Sequence, residues 1–308
     1  MNTLHFKYAV EVERTRSITK AAENLFMAQP NLSKAIKELE DTLGIAIFER
    51  TSKGVVPTAK GAEFLLYAKN IMEQIERMEQ LYIPEDANRQ RFRISIPRGS
   101  YISHAFTRFV AELDAQKEID VALHETNSMQ TIENVAVGRF DLGIIRYQTD
   151  YENYFLDYLK EKGLQCEPIW EFEYLALMSR MHPLASDERV AYEKLCQYTE
   201  IVHGDTVVPY LPSDKVKKSE AKKRIYVYER GSQFDILSHI PTTYMWVSPI
   251  PESFLALYGL VQRACPAAHH KYKDQLIYPG AYTFTALDRK FIDQLFASKN
   301  EVAFKQYN

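Results

Sequence analysis

Little in this chain of 308 residues supports covalent chemistry. Its three cysteines, Cys166, Cys196 and Cys265, form no paired disulfide framework, so a reducing compartment is the simplest reading. No apolar run approaches the ~20 residues needed to cross a bilayer. The N-terminal MNTLHFKYAV carries no basic-then-apolar signal pattern, and a cytoplasmic protein is expected. GxSxG, P-loop, dinucleotide-binding glycine and HExxH patterns are all missing. The adjacent His269 and His270 have no carboxylate or cysteine at ligand spacing. No catalytic residue, metal or cofactor is therefore expected, and nothing marks a cysteine as a low-pKa redox switch. A strong charge imbalance is also lacking: the formal net charge is −3.

What is there reads as a globular protein, 46% hydrophobic and 26% charged, long enough for two or three domains. The charge is unevenly spread, with nine Lys/Arg against seven Asp/Glu in residues 1–60 and a net −5 in the remainder. The stretch SITKAAENLFMAQPNLSKAIKELEDTL, residues 17–43, reads as two helices joined by a tight corner. Ser17 suits an N-cap, and Ala21, Ala22 and Leu25 give a face that a second helix can approach closely. Pro30 fits a first helical turn, Leu32, Ile36, Leu39 and Leu43 form an apolar stripe, and Gly44 closes the helix. The opposite face carries Gln29, Asn31, Ser33, Lys34 and Lys37. Such side chains can pair with base edges and neutralise phosphates in a major groove.

The order of these residues resembles the N-terminal domain of the LysR-type transcriptional regulators. The matching positions are Phe6, Ser17 to Ala22, Gln29 to Lys34, Leu39 to Gly44 and Ile47 to Arg50. The family pattern adds Ser17, Thr19, Lys20 and Pro30 to the expected DNA-facing set. One departure is Ala28, where the family usually has serine; losing that N-cap hydroxyl typically costs ~1 kcal/mol. Residues 45–56, with β-branched residues flanking Ser52-Lys53-Gly54, read as a two-stranded wing that would set Arg50 and Lys53 beside the phosphate backbone.

Thr58 can cap a further helix, in which Phe64, Ala68, Ile71, Ile75, Met78 and Tyr82 follow heptad spacing. Such a seam needs a partner, and a second copy of the chain is the favoured one. The resemblance implies an antiparallel pairing of these helices and a dimer or tetramer reading an inverted repeat in promoter DNA. The polar PEDANRQR, residues 84–91, reads as a hinge.

Beyond it, strands and helices alternate, which predicts a parallel sheet with helices on its faces. Residues 138–145, GRFDLGII, and the MSRMHPLA of residues 178–185 resemble segments of the same family's effector domain, as do Leu276 to Pro279 with Phe291 and Ile292. That domain has the two-lobed fold of periplasmic solute-binding proteins. The expected plan is a winged helix-turn-helix over 1–58, a linker helix over 59–83, a hinge over 84–90 and an α/β effector domain over 91–308. Lobe I would take 91–165 and 266–308, and lobe II 166–265, with crossovers near 163–168 and 264–266. Two departures from the family are an added helical segment over 150–163 and HIPTTYMWVSPIP, residues 239–251, in place of a Gly-rich stretch.

In such a fold strand ends and helix N-termini converge on a cleft and favour anions. The candidate effector-binding residues are Arg98, Ser100, Tyr101, Asn127, Ser128, Arg146, His203 and Ser232. Each also has a plain structural reading, the serines as helix caps and the arginines as surface charges. A carboxylate-bearing metabolite is the expected effector, and RNA polymerase a further partner. The sequence reads as a ligand-responsive DNA-binding regulator, against two rivals: an enzyme acting on a small anion with an accessory DNA-binding head, and a ligand-independent architectural DNA protein.

Overall fold

Asn2 and Ser17 start the first two helices by side-chain capping, accepting from Leu4 N and Lys20 N at 3.0 and 3.3 Å. The computed structural model describes residues 2–51, 54–82, 88–205, 221–266 and 271–303. Its contacts divide the chain into two units, Met1–Asp86 and Ala87–Asn308.

In the first unit, α1 (Thr3–Thr15), α2 (Ile18–Asn24) and α3 (Gln29–Leu43) precede a hairpin of β1 (Phe48–Thr51) and β2 (Gly54–Pro57), then α4 (Ala59–Tyr82). Ala28 precedes α3 without a side-chain cap, and Gly44 ends α3 at φ 67°. The stripe Leu32, Ile36 and Leu39 is buried as the spacing predicts, against Phe6, Ala9, Val12, Ala21 and Ala22. Glu40 ties α3 to the wing by accepting from Ile47 N and Phe48 N at 2.7 and 3.0 Å. Thr58 caps α4, accepting from Gly61 N at 2.9 Å. Gly61 is required there, since a Cβ would lie 1.9 Å from Ile47 O.

Among the described residues the second unit forms two five-stranded sheets. In chain order, lobe I starts with β3 (Arg89–Ile96), α5 (Ser100–Ala111), β4 (Glu118–Glu125), α6 (Ser128–Ala136) and β5 (Leu142–Gln148). It continues through α7 (Glu152–Glu161), where an added helical segment is expected, to β6 (Leu164–Glu173). Lobe II holds β7 (Leu175–Ser179), α8 (Tyr192–Leu195), β8 (Thr199–His203), β9 (Arg224–Val227) and α9 (Arg230–His239). Then come β10 (Thr243–Val247), α10 (Glu252–Tyr258) and β11 (Leu260–Arg263), before β12 (Lys271–Pro279) and α11 (Ala286–Ala303) return to lobe I.

Lobe I's sheet runs β4-β3-β5-β12-β6. β3 pairs parallel with β4 and β5, as the alternation predicts, but β12 pairs antiparallel with both β5 and β6, so the sheet is mixed. This moves one expected crossover. Residues 166–173 belong to lobe I because Ile169 and Phe172 are buried along a strand that pairs with β12, and the chain crosses at Tyr174 instead of near 163–168. Lobe II's sheet runs β11-β7-β10-β8-β9, with the stretch that replaces the Gly-rich segment supplying β10. Each sheet has its own apolar core, one built on Phe92, Phe109 and Phe291, the other on Leu177, Ile201 and Met245.

Candidate nucleic-acid interface and interlobe cleft

Because the apolar stripe of α3 is held in the core, its polar face is turned outward. Pro30, Asn31, Lys34 and Lys37 are exposed, with Gln29 and Ser33 half-buried. Thr19 and Lys20 are exposed on α2, and Arg50 on β1; Ser17 is occupied as the α2 cap. Lys53 lies outside the described residues. Lys34 comes within 3.8 Å of Glu38 Oε1, an exposed i,i+4 pair that holds it only loosely for other partners.

The heptad seam of α4 is divided. Ala68, 1% exposed, belongs to the first unit's own core with Leu65, and Phe64 meets Phe6 edge-on at 5.6 Å. Those positions are therefore taken up by α1 of the same chain, a correction to the expectation that the whole stripe faces a second copy. Ile71 and Met78 remain 40% and 55% exposed, and Ile75 is half-buried. The side chain of Tyr82 lies outside the described residues.

Between the lobes lies a cavity of about 640 Å³ lined by Arg98, Leu123, His124, Glu125, Thr126, Asp205, Tyr228 and Glu229. Arg98, between β3 and α5, reaches across it. Its guanidinium donates to both oxygens of Asp205, at 2.8 and 2.9 Å, and to Tyr228 O at 2.7 Å. Burial works against ionising Asp205, but the Arg98 hydrogen bond and charge outweigh it and hold the carboxyl below its ordinary range. His203, at the end of β8, is pushed down to about 4 by burial, with the Arg98 charge adding to the effect. It is neutral at neutral pH.

A second crossing is made by Arg230, the first residue of α9. It donates to Glu125 Oε1 at 2.7 Å, to Ser100 Oγ at 3.0 Å and to Ser103 Oγ. Ser100 thus accepts from an arginine of the other lobe. Arg146 makes the third crossing, from the end of β5 to Ser248 Oγ at 3.1 Å. Its Nε and Nη2 donate to the two oxygens of Asp274, both at 2.7 Å, and its guanidinium lies over Phe172 at 4.9 Å. With Arg146's side chain 7% exposed and that of Asp274 0%, the pair is a buried structural unit, not a surface charge.

Three candidates have their polar atoms engaged within lobe I. Tyr101 is fully buried and donates to Asp274 Oδ2 at 2.5 Å; burial and the Asp274 charge push its pKa well up and keep it a donor. Ser128 accepts from Arg146 N at 2.9 Å and donates to Arg146 O at 2.6 Å. Asn127 caps α6, accepting from Gln130 N at 2.9 Å. In this arrangement the three hold the Arg146–Asp274 pair and α6 in place. Ser232 is exposed in the first turn of α9.

Sequence reasoning missed Asp205, Arg230, Glu125 and Asp274. Arg230 had a readable signal, since a cation in the first turn of a helix opposes the helix dipole and is out of place unless it reaches elsewhere. The acids had none, because Arg98 and Asp205 are 107 residues apart and Arg146 and Asp274 are 128 apart.

Among the described residues no group of three metal-ligating side chains occurs, and no helix is long and apolar enough to cross a membrane. Burial pushes the Cys166 thiol up, the opposite of an activated cysteine. His269 and His270 lie outside the described residues.

Residues 4–62 match the family model of bacterial regulatory helix-turn-helix proteins of the LysR family, and residues 84–213 that of the LysR substrate binding domain. The transcriptional activator CmpR of Synechocystis is 24% identical over 99% of this chain and 98% of its own length. The regulator BenM of Acinetobacter baylyi is 31% identical over 47% of this chain and 48% of its own. Among solved structures, the LysR family regulator CbnR covers 97% of this chain and 99% of its own at 16% identity, TM-score 0.60. CbnR complexed with its target DNA gives a TM-score of 0.62 at 16% identity, over 97% of this chain and all of that one. An exposed reading helix on a winged scaffold, a two-lobed α/β unit with a cleft, and these matches agree: the chain belongs to the LysR-type family, DNA-binding transcriptional regulators whose activity a small-molecule effector modulates.

Proposed function

We propose that this regulator reads an inverted repeat in promoter DNA with Gln29 in base contact and with Lys34 and Arg50 on phosphates. Thr19, Lys20, Asn31, Ser33 and Lys37 join them as DNA-facing residues in this reading, and so does Lys53 by its place in the wing. The reading is carried by the outward polar face of α3 on a helix whose other face is locked in the core. In binding titrations on a duplex recovered from a random pool, Gln29→Ala costs ~1–3 kcal/mol and relaxes preference at one base pair per half-site. Lys34→Ala weakens all sequences alike and lowers the salt slope by about one per head. Unchanged binding by Gln29→Ala overturns the assignment.

The assembly is a dimer or tetramer joined through the outer half of α4, where Ile71 and Met78 are exposed. The protein works in the cytoplasm and acts as a regulator and not as an enzyme, a reading supported by its likeness to transcriptional regulators.

The effector is an anion of carboxylate type bound in the interlobe cavity. Arg98 lines it and Arg230 donates to Glu125 on its wall, each arginine holding a carboxylate of this chain, so an effector carboxylate can take over those same donors. Asp205 then acts as the resident occupant that the effector displaces. An amine-bearing effector is the second reading, favoured by Glu229, a third carboxylate on the wall. Arg98→Ala separates function from fold: it keeps basal DNA binding and loses the effector response. A response equal to wild type would remove Arg98 from the site.

A further inference from the structure

Phe26 occupies the corner between α2 and α3 with φ 52° and a side chain 97% exposed. The hydrogen bonds around it account for the backbone. Phe26 N donates to Glu23 O at 3.1 Å and Met27 N to Ala22 O at 3.0 Å, closing α2 in a left-handed turn of the kind glycine or asparagine ordinarily fills. They do not account for the ring. Leu25 and Met27 on either side pack against the core of the first unit, whereas Phe26 has the most exposed large apolar side chain among the described residues. A bulky residue therefore sits in a backbone region it disfavours and leaves its whole apolar surface in water.

Its position supplies a partner. In a helix-turn-helix the first helix crosses the DNA backbone and the second enters the major groove, so the corner lies where the chain passes from sugar and phosphate to base edges. Phe26 precedes Gln29 by three residues, which keeps their Cα atoms within about 11 Å, less than the ~12 Å width of the groove. Thr19 and Lys20, exposed in the first turn of α2, and Pro30 and Asn31, exposed in the first turn of α3, belong to the two helices that the corner joins.

We infer that Phe26 is a further DNA-contacting residue, its ring lying on the groove rim against the 5-methyl group of a thymine. That methyl is the apolar group the major groove offers, and contact with it discriminates thymine from the other bases. The contact adds a base preference outside the positions read by the polar side chains of α3. It rests on α3 being the reading helix.

The test uses the full chain and a duplex that the wild-type protein selects from a random pool, with Phe26→Ala, Phe26→Gly and Gln29→Ala compared by fluorescence anisotropy. Each thymine of the duplex is replaced singly by deoxyuridine, which removes only the methyl. Phe26→Ala weakens binding on the order of fivefold, one deoxyuridine position weakens the wild type severalfold, and that position has no effect on Phe26→Ala. Phe26→Gly shows the same loss of binding with a raised melting temperature, because glycine relieves the left-handed strain. Three outcomes overturn the inference: wild-type affinity in Phe26→Ala, indifference of the wild type to every deoxyuridine, or a deoxyuridine effect that persists without the ring. The first points to a protein partner for Phe26. If Gln29→Ala also binds unchanged, the reading-helix assignment fails instead; if only Gln29→Ala loses affinity, the Phe26 contact alone is withdrawn.

Discussion

Asp274, fully buried, and His203, partly buried, show how differently two ionisable groups bear on stability. Asp274 is matched by Arg146 and Tyr101, so Asp274→Ala strands a guanidinium in the protein interior. Breaking a buried pair in this way costs about 3–5 kcal/mol. A urea melt should show that loss in the second unit, and a change under 1 kcal/mol would mean the pair is open to water. His203 acts through pH. Its folded-state pKa, about 4, lies below the ordinary value, so as pH falls below ~6.5 the unfolded chain binds a proton that the folded one refuses. Stability therefore declines between pH 6.5 and 4, by about 2 kcal/mol from pH 7 to pH 5. His203→Asn should flatten that part of the profile, and an unchanged slope would reject the assignment. Local caps at this scale were legible in the sequence: Ser17, Gly44 and Thr58 act within a few residues of their partners. The Tyr101–Asp274 bond was not legible, because the two residues are 173 apart and no periodicity reports such a pairing.

At the scale of the element, α4 shows where a pattern under-determines a structure. Heptad spacing says that a stripe must be covered, not by what. The first turns are covered by α1, which buries Leu65 and Ala68 and sets Lys69 Nζ 2.7 Å from Glu13 Oε2. The outer turns keep Ile71 and Met78 exposed. Leu65→Ala should therefore destabilise the first unit by ~3–5 kcal/mol and leave subunit affinity unaffected once the unit is folded. Ile71→Asp with Ile75→Asp should instead dissociate the oligomer at little cost to the melting of the unit. Sedimentation beside thermal melts distinguishes them, and an intact oligomer in the double variant would return the outer stripe to the chain's own interior. The β-strand pattern was under-determined in the same way. Alternation of strand and helix predicted parallel β3, β4 and β5, while the antiparallel partners β12 and β6 depend on a return of the chain from beyond lobe II.

For the whole molecule, the reading head was legible because its chemistry is local: α3 has its core stripe and its polar face within fifteen residues. The cleft was not, because its walls are assembled from the ends of β3, β4, β8 and β9, and its charges are matched only in three dimensions. The structure replaces an open set of anion donors with arginines already bound to the chain's own carboxylates. A ligand shifts such a molecule only through different affinities for its arrangements, so under the proposed function competition with Asp205 would couple the effector to the lobes. Calorimetric titration of wild type, Arg98→Ala and Asp205→Asn with a panel of small carboxylates, phosphate, sulfate and amines tests this most directly. Asp205→Asn should bind the recognised anion about tenfold more tightly than wild type, and Arg98→Ala should lose more than tenfold, as expected for a charged partner worth ~2–5 kcal/mol. Equal affinities in all three proteins, or binding of amines in preference to anions, would contradict it.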